Sequence, residues 1–267
     1  LTPVTGKSWT SPVRFSLART GGLRRATELP NPLAQLKLAS LCSNNWRELQ
    51  RLTARSPISL SRPVVGRYGS LRYRTTLGKR PQIAASRMPG GSSTLKTDVS
   101  QFYPSIYTHA VDWAVRGKAT AKKHMRVRHL GTLLDEALRE SRSGQTVGLS
   151  IGPETSWLAS EVLLARVDAA ICREFPQIAK RGFRFVDDMT FYSSSAGEAY
   201  EVLARYEKLL ADFELILNPT KVRVLDGLEP PEAPWVTPLR QVRYRDDNDA
   251  HLVNDLVDLF SLAMDAA

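Results

Sequence analysis

The chain has 267 residues, 42% of them hydrophobic, only two cysteines, and a formal net charge of +10 with a pI near 9.8. That length supports one large domain or two small ones with a sizeable core, and the composition excludes a disordered chain or a disulfide framework; Cys42 and Cys172 read as buried thiols. No apolar run reaches membrane-spanning length and no signal-peptide pattern opens the chain, so a cytoplasmic protein without a membrane partner is expected, and the charge favours a nucleic-acid partner over simple solubility.

Residues 1–30 are rich in Thr, Arg and Gly with weak periodicity, and are expected to be loop or arm. From Pro32 to Leu52, Leu33, Leu36, Leu38, Leu41, Trp46, Leu49 and Leu52 recur at helical spacing, which predicts one or two helices. Residues 58–93 hold short β-prone pieces broken by Pro and Gly, a basic hairpin or loop region. Between Arg51 and Thr97 there is no acidic residue, while Arg51, Arg55, Arg62, Arg67, Arg72, Arg74, Lys79, Arg80, Arg87 and Lys96 all fall there. A second run free of acids carries Arg116, Lys118, Lys122, Lys123, Arg126 and Arg128. Unneutralised blocks of one sign suit phosphates better than a face laced with ion pairs.

Residues 93–99, STLKTDV, predict a strand, followed by a turn at FYPS and helices over 107–117 and 121–141. A loop, SGQTVGLSIG, leads to a helix opened by Pro153, with Trp157, Leu158, Leu164, Val167 and Ile171 on one face. GFRFV and MTFYSS flank Asp187 and Asp188 as two strands of a tight hairpin. Residues 199–213 are amphipathic through Val202, Leu203, Tyr206, Leu209, Leu210 and Phe213, LILNPTKVRVL is a turn between short strands, and the helical pattern resumes at Ala250. The sequence opens on Leu1 and stops at MDAA without a Gly or Asn cap, as a fragment would. From residue 94 the order β, α, α, β, β, α, β predicts an α+β fold: a ferredoxin-like split βαβ antiparallel sheet with helices on one face.

Paired acids in a strand core repel each other and are costly to bury. Taken alone, Asp187–Asp188 would be a solvated turn or cap, but the flanks are apolar and no Gly or Asn marks the turn. In the predicted sheet the strand bearing Asp98 lies beside this hairpin, so three carboxylates converge. Carboxylate oxygens suit Mg²⁺ or Mn²⁺, and two such ions roughly 3.5–4 Å apart can drive an in-line displacement at phosphorus. Tyr103 in DVSQFYPSIYTH can lie under a nucleotide sugar and exclude a 2′-hydroxyl; the alternative is a core aromatic, the preferred reading for Phe102. The glycines of GLSIGPETS fit a close backbone approach or an ordinary loop, and Lys221 in LNPTK fits a triphosphate contact or a surface lysine.

In order, these segments resemble the palm motifs of reverse transcriptases: DVSQFYPSIY the first, GLSIGPETSWLASE the second, FVDD the catalytic hairpin and LNPTK the motif after it, over residues 94–225. Phe185 stands where Tyr is commoner, and Ser150 and Ile151 where many members have Pro and Gln. FYPSIYTHAVDWAVRGK, GQTVGLSIGPETS and IAASRMPGGSSTLKTD are most similar to bacterial abortive-infection and defence-associated reverse transcriptases, related to retron and group II intron enzymes. The resemblance implies a reverse-transcriptase palm with a mixed fingers subdomain and the start of a helical thumb or helical-repeat region. It divides the chain into an arm and basic fingers at 1–93, a palm at 94–240 with 107–145 as a helical insertion partly of the fingers, and a helical region at 241–267. It implies RNA-directed or template-independent DNA synthesis in anti-phage defence with two Mg²⁺ or Mn²⁺ ions on Asp98, Asp187 and Asp188, of which Asp98 and Asp187 are the most direct ligands. Lys221 would assist pyrophosphate departure, Val99, Tyr103, Gly152, Arg72 and Arg74 would bind the nucleotide, and Arg62, Arg67, Lys79, Arg80, Lys122 and Lys123 the nucleic acid. The implied partners are an RNA template or DNA product, dNTPs, and a second copy of the chain through a C-terminal region. The rival readings are another palm enzyme using ribonucleotides and a non-catalytic RNA-binding palm module.

Overall fold

A computed structural model gives the fold and describes residues 9–124, 127–233, 235–241 and 249–265. Strands β1 (Val13–Ala18) and β2 (Arg24–Leu29) pair antiparallel with Val13 opposite Leu29, where a loop or arm was expected. Val13, Phe15 and Leu17 alternate with Arg14, Ser16 and Ala18 at the strand period, but every residue of β1 is exposed, so no buried face strengthens the pattern. The hairpin is tied down through Glu28, whose amide donates to the Ile151 carbonyl (3.2 Å) and whose carboxylate accepts from Arg142 and from the Ser150 hydroxyl (2.8 Å).

Helices α1 (Pro32–Asn44) and α2 (Trp46–Thr53) bear out the helical spacing of that region. The Asn31 side chain accepts from the Leu33 amide and Pro32 occupies the first turn, both good starts for a helix. The basic region holds a short antiparallel pair, β3 (Pro63–Val65) and β4 (Leu71–Tyr73), and then a helix, α3 (Arg80–Arg87), that was expected to be loop. Pro81 opens that helix, and Ile83, Ala84 and Met88 join a small apolar cluster with Leu60, Phe183 and Tyr192, which supplies the burial that eight residues alone do not signal.

Next come β5 (Ser93–Thr97), a single turn α4 (Phe102–Ser105), and α5 (Thr108–Arg116), α6 (Lys118–Lys123) and α7 (Leu130–Glu140). The long α8 (Glu154–Glu174) and short α9 (Pro176–Arg181) lead into β6 (Gly182–Phe185) and β7 (Asp188–Ser193). After α10 (Ala196–Ala211), β8 (Arg223–Asp226) completes the sheet, and α11 (Val236–Gln241) and α12 (Asp249–Asp265) follow. The strands lie in the order β6–β7–β5–β8, all pairs antiparallel, which is the split βαβ arrangement expected from the sequence.

One face of this sheet presents Leu95, Met189 and Phe191 to Val162, Leu163 and Val167 of α8 and to Val202, Tyr206 and Leu210 of α10, all in one buried cluster. Trp157, Leu158, Leu164, Val167 and Ile171 are buried as predicted, but α8 is buried on most of its surface, so the apolar face is wider than one stripe. Within that interior Arg184 has no solvent exposure and pairs with Asp168 (2.8 Å) and Glu161 (3.0 Å). No helix among the described residues is long and apolar enough to cross a membrane.

Two outcomes follow from this packing. Burial pushes the thiols of Cys42 and Cys172 each up to about 12, so both should react with a disulfide reagent at pH 8 orders of magnitude more slowly in the native protein than in urea. Arg184→Met leaves two buried acids without their cation and should cost about 3–5 kcal/mol in urea unfolding.

Candidate active site

The β6–β7 register pairs Phe185 with Asp188, so Val186 and Asp187 alone form the hairpin loop. Asp98 follows the last residue of β5, and β5 is the direct neighbour of β7, with Thr97 opposite Met189. This topology brings the three acids to one end of two adjacent strands. Burial, a hydrogen bond that the protonated acid can donate to Asp98, and the charge of Asp187 push the Asp188 carboxyl up to about 6, against the pull of Arg80. The Asp187 carboxyl is also raised, by burial and then by Asp98, although a backbone hydrogen bond, Lys221 and Arg184 oppose the shift.

Asp98 is nearly buried and is held by the segment after α10. Its carbonyl accepts from the Asn218 amide (2.8 Å) and its carboxylate accepts from Lys221 Nζ (2.7 Å). Asn218 Oδ1 accepts from the amide and hydroxyl of Thr220, closing the turn that delivers Lys221. That hydrogen bond to Asp98 raises the Lys221 ammonium above its ordinary value, while the lysine stays largely exposed on its other side. LNPTK therefore places Lys221 on an acid of the site, and Val99 is buried and bridged to Leu217 beside it.

A cavity of about 240 Å³ lies over Asp98, Asp188 and Lys221, lined as well by Arg80, Lys96, Thr97, Met189, Thr190 and Arg223; Asp187 is not part of this lining. Of the basic residues singled out from sequence for nucleotide or nucleic acid, this cavity collects only Arg80, which lies 3.9 Å from Asp188. Lys96 and Arg223 join it from facing positions on β5 and β8; their alternation within short strands was the available signal. Arg72 lies on β4 and Arg74 bonds the Arg62 carbonyl, away from the cavity lining, and Lys122 lies against the Trp113 ring (5.5 Å) in a different pocket. Arg67 follows β3, Lys79 precedes α3 and Lys123 ends α6, none of them lining the acidic cavity. Gly152, at a φ of 130° that a side chain would resist, faces the β1–β2 hairpin and α1 at the start of α8.

Tyr103 packs against the main core; burial raises its hydroxyl, which bonds Ser160. Phe102 is buried in the same core, as preferred from the sequence. Among the described residues no three His, Cys, Asp or Glu side chains already form a metal cage. The donor set still fits a hard dication: Asp98 helps raise the carboxyls of Asp187 and Asp188, the cations paired with these acids are Lys221 and, at 3.9 Å, Arg80, and Thr97 beside them keeps a buried hydroxyl without a hydrogen-bond partner.

No curated protein matches the chain. Among solved structures it is similar to apo telomerase from Candida tropicalis truncated from its C-terminal domain (TM-score 0.51, 14% identity, 85% of this chain and 52% of that one). It is also similar to telomerase from C. tropicalis with a TWJ fragment of telomeric RNA (0.52, 12%, 84% and 42%) and to the C. albicans counterpart (0.51, 10%, 96% and 55%). The chain thus spans about half the length of these structures, and at such identity the likeness concerns the fold. Residues 29–244 match the family described as reverse transcriptase (RNA-dependent DNA polymerase), and with most of its length so matched the chain belongs to that family.

Proposed function

We propose that this chain carries the palm and part of the fingers of an RNA-directed DNA polymerase that joins dNTPs to a 3′-hydroxyl. The observation that carries this reading is the convergence of Asp98, Asp187 and Asp188 at the ends of β5 and β7, with the carboxyls of the Asp pair held above their ordinary range, in a family whose members are polymerases. Asp98, Asp187 and Asp188 would hold the metals. Two divalent ions bound there supply activation of the attacking hydroxyl and neutralise charge on the departing pyrophosphate. Lys221 is anchored on Asp98 yet open to the cavity, a position from which its ammonium can meet the triphosphate and give a proton to pyrophosphate. Arg80 and Arg223 add positive charge around the same cavity and suit a polyphosphate, while Lys96 lines it paired with Glu229.

Tyr103 supports deoxynucleotide use over the ribonucleotide alternative, because its ring is locked in the core and cannot yield to a 2′-hydroxyl. The three acids support an enzyme over a non-catalytic RNA-binding module, whose phosphate contacts would be weakened by uncompensated carboxylates. The runs FYPSIYTHAVDWAVRGK and IAASRMPGGSSTLKTD support membership of the defence-associated class.

Asp187→Ala should abolish Mg²⁺-dependent dNTP incorporation with an unchanged circular dichroism spectrum, and should remove any protection against phage given by expressing the active protein. Full incorporation by that variant sinks the polymerase reading, and equal plaquing with both proteins sinks the defence role. Tyr103→Ala should raise incorporation of ribonucleotides relative to deoxynucleotides by about 10-fold or more, the scale of one lost steric contact in a transition state. An unchanged ratio in a dNTP/NTP competition assay removes Tyr103 as the gate.

A further inference from the structure

Val186 has a φ of 55°, a left-handed conformation that β-branched residues rarely adopt, and it is the residue directly before Asp187. Both of its backbone polar groups are gripped from the protein side: its amide donates to Ser61 Oγ (2.8 Å) and its carbonyl accepts from Arg184. Each gripping group is itself immobilised. The guanidinium of Arg184 is fully buried, with Nε on Asp168 Oδ2 (2.9 Å), NH1 on Glu161 Oε1 (3.0 Å) and NH2 on Glu161 Oε2 (3.1 Å). Glu161 and Asp168 stand seven residues apart on α8, two turns of one face.

The acids are fixed in turn by serines of the segment before β3: Ser56 donates to Asp168 (2.6 Å), Ser59 to Glu161 (2.8 Å) and Ser61 to Glu161 (2.6 Å). The Ser61 hydroxyl gives its proton to Glu161, which leaves a lone pair for the Val186 amide. Backbone bonds in both directions join this segment to β6, from the Arg184 amide to the Ile58 carbonyl (2.9 Å) and from the Leu60 amide to the Arg184 carbonyl (2.8 Å). Well-packed apolar residues can replace a buried ion cluster with little loss of stability, so stability alone does not account for one whose cation ends on the Val186 carbonyl.

We infer that Ser61 and Arg184, held by Glu161 and Asp168, form a clamp that keeps Val186 left-handed and thereby positions the Asp187 carboxylate for metal. The inference rests on the polymerase reading and adds to it a set of positioning residues behind the metal ligands. Outer-shell partners of metal ligands typically tune affinity by about 10–100-fold.

The experiment is a titration of the purified protein with Mn²⁺ alone, followed by the electron paramagnetic resonance of the free ion, beside primer extension at varied Mg²⁺. Ser61→Ala is expected to keep its circular dichroism and cooperative unfolding. It should bind Mn²⁺ about 10-fold more weakly, and should raise half-saturating Mg²⁺ for extension by a similar factor with the KM for dNTP little changed. Glycine reaches positive φ without the Cβ penalty, so Val186→Gly in the Ser61→Ala background should restore part of the affinity. The clamp is overturned by Ser61→Ala protein that binds Mn²⁺ like the parent, by losses that simply add in the double variant, or by Ser61→Ala protein that does not fold. Failure of the polymerase reading looks different: the unsubstituted protein extends no primer and its Mn²⁺ binding is indifferent to Asp187→Ala.

Discussion

A guanidinium cut off from water must find its counter-charge inside the protein, and Arg184 finds two carboxylates on one helix. Burial works against its charge, and the carboxylates of Asp168 and Glu161 more than offset that, holding it well above the ordinary guanidinium value. One cation facing two acids leaves negative charge over. Burial pushes the Asp168 carboxyl up, and three serine hydroxyls donate into the pair. These bonds join three pieces that are distant in sequence: the segment before β3, helix α8 and strand β6. The β6–β7 hairpin therefore starts from a strand anchored on one side by β7 and on the other by the Ser56–Ser61 segment.

The acids at the far end of that hairpin pose the opposite electrostatic problem. Arg184 is over-compensated, whereas Asp98 helps raise the carboxyls of Asp187 and Asp188, and these acids pair with Lys221 at 2.7 Å and with Arg80 at 3.9 Å. Carboxylates placed side by side and short of cations form a donor set whose chemistry suits a hard dication. Arg80 and Arg223 line the same cavity as the acids, with Lys96 paired to Glu229 beside them. The cavity thus changes sign over a short distance, an arrangement suited to a ligand that carries both metal and phosphate.

Much of this was legible in the sequence. The strand–helix–hairpin order fixed the neighbours of β5, and from that order Asp98 had to join the Asp pair. Lys221 was placed after a turn by LNPTK, but its contact with Asp98 was not legible there, since a surface lysine fitted equally well. Arg184, Glu161 and Asp168 were not legible, because an acid on a helix and a basic residue in a strand read as solvated until the packing around them is known. Glu161 and Asp168 share the face of α8 defined by a spacing of seven, yet nothing local announces that their partner lies on β6. The β1–β2 hairpin carried a period-2 signal in VRFSLA that its Arg- and Gly-rich surroundings masked. The basic candidates failed to converge for a related reason: charge density marks a surface but not the direction in which each side chain points. Arg72 on its hairpin and Lys122 against Trp113 share a sign with Arg80 and nothing else of its position.

Helix α8 explains how these parts act together. At about 1.5 Å per residue its 21 residues run about 31 Å, and successive turns take successive duties. In the first turn Glu154 accepts from the Leu71 amide (2.9 Å) and so holds β4 of the basic hairpin. One turn on, the Trp157 ring meets Tyr73 (4.6 Å between centroids), which itself meets Phe185 of the β6–β7 hairpin (5.0 Å), while the Trp157 indole donates to the Ser61 carbonyl (3.1 Å). Ser160 then bonds the Tyr103 hydroxyl, and Glu161 and Asp168 hold Arg184. Glu161 and Asp168 are spent on interior partners, while Arg166, Arg173 and Glu174, at helical spacing, leave a narrow polar stripe in solvent. A shift of α8 would move the basic hairpin, Tyr103 and the backbone beside Asp187 at once.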